Sequence, residues 1–97
     1  MTGRYGLTPR ARKDLDGIWD HSERQWGVVR AESYIRQLWQ HIALIAAQPG
    51  LGRACPEVRE GYHRYPSGSH ILFYRTTEGG IEIIRILHDH MDLLRHL

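Results

Sequence analysis

Lysine is nearly missing from this chain. Lys13 stands alone against twelve arginines, so chemistry that needs several ammonium groups is excluded. Cysteine is equally scarce. A single Cys55 allows no internal disulfide framework and no cysteine-based zinc site. No apolar run approaches the roughly 20 residues of a membrane span. Met1-Thr2-Gly3-Arg4-Tyr5-Gly6 lacks the apolar core of a signal peptide. A soluble, cytoplasmic protein with no membrane contact is therefore expected. Repeats, linkers and low-complexity tracts are absent too, and 97 residues make one domain, 1–97. Such a chain has a thin core and little room for a deep cofactor pocket. No cofactor is expected.

What is present is arginine and histidine. Arginine suits planar, bidentate contacts to carboxylate or phosphate, although a GC-rich genome produces the same bias. Seven histidines add a reserve of positive charge as pH falls, on a formal net charge of only +2. That balance does not demand nucleic acid; an acidic protein partner fits equally well.

Residues 4–7 read as a short first strand. Thr8-Pro9 is a helix start, a capping hydroxyl followed by proline where a missing N–H costs nothing. Ala11, Leu15, Ile18, Ser22 and Trp26 then recur on one helical face, and Gly27 ends the helix. A second helix is predicted from about Val29 to Gln48, with Ala31, Ile35, Leu38, Ile42 and Ile45 inward and Pro49-Gly50 as its stop. So short a break makes an antiparallel helical hairpin. Leu51–Gly61 reads as a loop. Strands follow near 62–66, 70–76 and 81–88. In the last of them simple alternation places Ile81, Ile83 and Leu87 on one face and Ile84 and Ile86 on the other. A strand greasy on both faces belongs inside a sheet, here between the preceding strand and the first. The expected fold is α+β: a two-helix antiparallel hairpin on a small, mainly antiparallel sheet, in the order β-α-α-β-β-β.

Arg85 interrupts an apolar row, so its guanidinium requires a partner such as Glu82, Asp14 or Asp16. His88, Asp89, His90, Asp92 and His96 match no standard zinc spacing and read as a polar tail, so no metal is expected. Asp14, Asp16, Asp20 and Glu23 read as a solvated helix face. Ser67 or Ser69 with His70 has no nucleophile elbow around it. Of Trp19, Trp26 and Trp39, only Trp26 at the hairpin tip is expected to be exposed.

The run Ser67-Gly68-Ser69-His70-Ile71-Leu72-Phe73-Tyr74-Arg75, a short turn, and Ile81-Glu82-Ile83-Ile84-Arg85-Ile86-Leu87-His88 resembles the ParE branch of the RelE/ParE toxin superfamily. Leu15-Asp16-Gly17-Ile18-Trp19, Gln25-Trp26-Gly27 and Gln48-Pro49-Gly50-Leu51-Gly52 extend the resemblance to roughly residues 4–97. It implies the same α+β fold and the toxin of a type II toxin–antitoxin system, a protein that acts by binding and not as an enzyme. Its implied partners are DNA gyrase, the target, and a ParD-like antitoxin, with which it would form a hetero-oligomer. No sequence-specific DNA binding by the toxin alone is implied. Arg59, Arg64, Tyr74 and Arg75 are the expected antitoxin contacts, and Trp26, Met91, Leu94 and Leu97 the expected target contacts. The alternative is a ribosome-dependent mRNA endonuclease of the RelE type, for which Arg64, Arg85 and His88 would be the catalytic set. The lone lysine, the lack of a tyrosine after His88, and Asp89 and Asp92 in that place count against it.

Overall fold

The computed structural model describes residues 3–90. Strand β1 (Arg4–Leu7) leads into α1 (Pro9–Trp26) and α2 (Val28–Ala47). A 3-10 turn at Pro49–Leu51 follows, then β2 (Arg53–Ala54), β3 (Tyr62–Ser67), β4 (His70–Thr77) and β5 (Gly80–His88). The sheet order is β1-β5-β4-β3-β2, with β1 parallel to β5 and every other pair antiparallel. The expected fold is thus the observed one, and β5 lies between β4 and β1 as its two apolar faces require.

Local chemistry sets the helix ends. Thr8 Oγ1 accepts the Ala11 N–H at 3.1 Å, and Pro9 opens the first turn. At Gly27, φ is +85°, a conformation that side chains resist. Its N–H closes on Glu23 O at 2.8 Å and its carbonyl accepts from Ala31 at 3.1 Å, so one residue ends α1 and begins α2. The hairpin buries Ala11, Ile18, Leu38, Ile42, Ile45 and Ala46 against Leu72, Tyr74, Ile81, Ile83 and Ile86 of the sheet.

Two sequence expectations are corrected. Leu51–Gly61 is not all loop, because Arg53 and Ala54 pair with Arg64 and His63 as a fifth strand. The faces of β5 also differ from simple alternation. The register runs Phe73↔Arg85 and then Tyr74↔Ile83, so Ile84 is an extra residue, a β-bulge. A bulge inverts the side-chain parity beyond it. Ile86 therefore joins Ile81 and Ile83 beneath the helices, while Leu87 turns to the other face. There it packs with Cys55, Ile71 and Phe73 in a second small core, flanked by Val58 and Tyr62.

The start of α1 replaces β1 as the edge partner of β5 at the bulge. Thr8 N–H donates to Ile83 O at 3.0 Å and Thr8 Oγ1 to Ile84 O at 2.7 Å. Asp14 then accepts from Ile86 N–H at 3.0 Å and takes Arg85 through Nε at 2.7 Å and Nη2 at 2.9 Å. The partner demanded by Arg85 is thus Asp14, and this hydrogen bond raises the guanidinium pKa further. The two side chains are only 13% and 15% exposed.

Arg85→Ala should destabilise the protein by about 3 kcal/mol in urea unfolding, because it leaves a sequestered carboxylate without its ion-pair partner. Asp14→Ala should cost at least as much, since the Ile86 N–H loses its acceptor too. A Cβ on Gly80 would collide with the Arg4 backbone carbonyl, which cannot move aside. Gly80→Ala should therefore weaken the β1–β5 pairing and cost about 2 kcal/mol, read by the same unfolding curve and by faster amide exchange in β1.

Candidate functional site

The arginine-rich surface lies on the sheet face away from the helices. Arg64 pairs with Phe73 on one side and with Arg53 on the other, so two guanidinium groups stand directly opposite each other on neighbouring strands. Like charges in that position repel. Neither has an acidic partner among the described residues. With Pro66 and Ile71 they line a shallow cleft of about 310 Å³, apolar at its floor and basic at its rim. Arg59 is exposed on the β2–β3 connection. Arg75 is exposed on β4, where its Nε donates to Glu82 Oε1 at 2.8 Å. Such a surface pair holds its partners weakly.

Tyr74 is not part of that surface. It is 0% exposed on the helix-facing side, stacked against His63, and its hydroxyl donates to Pro49 O at 2.7 Å. Burial raises its pKa. Its role is to tie β4 to the end of α2, so it is withdrawn as a contact residue. Arg53, which sequence reasoning missed, takes its place. The only signal for Arg53 was its position one residue after Gly52 in a segment that read as loop.

The endonuclease constellation is not assembled. Arg64 and Arg85 flank Phe73 on the outer face, and the Arg85 guanidinium is bound by Asp14. His88 pairs across the strand with His70 on the opposite face, ring centroids 5.3 Å apart. His70 is held in turn by Tyr34, whose hydroxyl hydrogen-bonds Nδ1 at 2.6 Å and accepts the Ser69 N–H at 2.9 Å. Burial, then the neighbouring His88, lowers the His70 pKa to about 4, so its ring is neutral near pH 7. Ser67 is buried and bonded to His41 Nδ1 at 2.6 Å. Tyr34 and His41 thus pin the β3–β4 turn to α2. Their spacing of seven on the helix was the available sign of a shared face.

A second exposed patch lies at the hairpin tip. Trp26 and Val28 are about half exposed and Val29 is 81% exposed. Arg30 covers the Trp26 ring, with Cζ 5.7 Å from its centroid, and Tyr34 stands 6.2 Å from it. Trp39 packs on Tyr5 and borders the core, as Trp19 is half-buried on α1. Met91, Leu94 and Leu97 lie outside the described residues. No helix among those described is long and apolar enough to cross a membrane.

Comparison with known proteins agrees with this architecture. Toxin ParE1 of Mycobacterium tuberculosis (strain H37Rv) is 49% identical over 98 aligned positions, covering 100% of both chains. Toxin ParE1 of Caulobacter vibrioides is 47% identical over 93 positions, covering 96% of each. Toxin ParE of Escherichia coli is 34% identical over 95 positions, covering 96% of this chain and 91% of the other. A solved structure of the chromosomal ParDE toxin–antitoxin system from P. aeruginosa has the same fold, with a TM-score of 0.75 at 21% identity, over 87% of this chain and 92% of that one. The family model described as ParE toxin of type II toxin-antitoxin system, parDE, matches residues 5–93, and the chain belongs to that family.

Proposed function

We propose that this toxin acts by binding, poisoning DNA gyrase in the cytoplasm, and that a ParD-like antitoxin silences it by occupying the arginine-rimmed cleft. The facing pair Arg53 and Arg64 carries the reading. Two arginines without an acidic partner among the described residues, beside the apolar Pro66 and Ile71, fit a segment that alternates carboxylates with apolar side chains. Such a segment relieves the repulsion between the two arginines as it docks. Arg59 and Arg75 extend the basic rim. A binding mechanism is supported further by the engagement of Arg85 with Asp14 and by the separation of His88 from Arg64. The hairpin tip around Trp26 offers a separate, mixed aromatic and aliphatic surface to the target. Met91, Leu94 and Leu97 belong to the same proposal as target contacts.

The test places purified protein with gyrase and supercoiled plasmid, and in parallel with translating ribosomes and labelled mRNA. Gyrase arrest with intact mRNA is expected; codon-specific cleavage without gyrase arrest would overturn the reading. Arg64→Ala should weaken affinity for the co-expressed antitoxin about tenfold in calorimetry, or ~1.4 kcal/mol, and the loss should shrink as salt rises. Trp26→Ala should reduce gyrase arrest while leaving antitoxin affinity within about twofold, by analogy with aromatic anchors at interfaces. Equal loss of both activities would instead make Trp26 a structural residue.

A further inference from the structure

Three donor side chains converge where β5 ends. His88 closes the strand, and Asp89 and His90 form the turn that follows it. Asp89 Oδ1 lies 3.3 Å from His88 Nδ1 and 3.6 Å from His90 Nε2. The two imidazole rings are 4.9 Å apart, and one ligand atom from each of the three residues falls within 4.8 Å of the others. Donors bound at about 2.0–2.2 Å to one tetrahedral zinc ion stand about 3.3–3.6 Å from each other. Both carboxylate-to-imidazole gaps already have that span.

The local backbone holds the arrangement. Asp89 N–H donates to Ser69 O at 2.9 Å, fixing the turn to the β3–β4 hairpin. His88 Nδ1 accepts the His90 N–H at 3.2 Å, so this nitrogen presents a lone pair. A metal would take over that lone pair at the expense of a long hydrogen bond. Among the described residues no lysine or arginine pairs with Asp89; its side-chain neighbours are these two imidazoles. His70 is a neighbour whose Nδ1 is already held by Tyr34, and it lies outside the ligand set. The sequence spacing matched no standard zinc motif because the three residues are consecutive. What makes them a set is the turn after β5, which brings both imidazoles to the intervening carboxylate.

We infer that His88, Asp89 and His90 bind one divalent transition-metal ion of the zinc type, with water completing its coordination. Two imidazoles and one carboxylate suit zinc, nickel or copper, and not magnesium or calcium, which prefer all-oxygen shells. The inference is independent of the gyrase and antitoxin readings. Isothermal titration of zinc chloride into the untagged, chelator-treated protein should show one saturable site. His88→Gln and His90→Gln should each weaken it at least about tenfold, given that even outer-shell changes cost that much. Asp89→Asn should weaken it as well, and Glu23→Gln, exposed on α1, should not. Circular dichroism checks that each variant is folded. Histidine side-chain NMR provides a second readout, in which zinc shifts the His88 and His90 ring signals. Absence of a saturable site, or full affinity in the His88→Gln/His90→Gln double variant, overturns the assignment.

Discussion

The Asp14 carboxylate is the joint on which the two layers depend. It binds Arg85 through two guanidinium nitrogens and also accepts the Ile86 backbone N–H. β1 pairs with β5 only as far as Ile83, so the edge of β5 beyond that point needs donors and acceptors from elsewhere. Thr8 and Asp14, at the start and in the second turn of α1, provide them. The helix is therefore hydrogen-bonded to the sheet as well as packed on it. A carboxylate with three hydrogen bonds tolerates its partly buried position because its remaining lone pairs are used. Arg85 in turn needs Asp14, since it projects from a strand whose neighbours are isoleucines.

The bulge at Ile84 sits at this joint, and its consequences reach the far side of the sheet. Without the extra residue, Leu87 would point toward the helices and Ile86 away from them. With it, Ile86 completes the helix-facing core and Leu87 reaches Cys55, Ile71 and Phe73. Burial raises the Cys55 pKa, which keeps the thiol a small apolar group in that second core. The second core anchors the connection between β2 and β3, and so holds the Arg53 strand against Arg64. The packing of one leucine thus bears on a basic surface several strands away.

Much of this was legible in the sequence wherever the cause was local. Thr8-Pro9, Gly27 and Pro49 announce helix ends because capping, positive φ and the missing proline N–H act on the residues themselves. The central place of β5 was legible too, from apolar residues at both parities. The bulge was not, because it depends on which residues of β4 and α1 meet β5. β2 was hidden for a similar reason: two residues between Gly52 and Cys55 carry no periodicity. With β2 went the pairing of Arg53 and Arg64, the centre of the candidate surface. Tyr74 and Arg75 were placed together as contacts although strand alternation sends adjacent residues to opposite faces. β4 is apolar at both parities from Ile71 to Tyr74, so the sequence offered no sign of which parity met the helices.

The distribution of polar groups bears on what kind of molecule this is. On the helix-facing side several polar side chains hold structure: Tyr34 on His70, His41 on Ser67, Tyr74 on Pro49, while the buried His63 Nδ1 makes no hydrogen bond among the described residues. Hydrogen bonds of this type fix geometry. On the outer face, Arg53 and Arg64 face each other without a counter-charge among the described residues, at a cost in repulsion. Unrelieved charge at the rim of an apolar cleft is stabilised when an oppositely charged surface arrives, and that gain is available only on association. The hydrogen-bonded interior face thus contrasts with an outer face whose facing arginines gain from an arriving counter-charge.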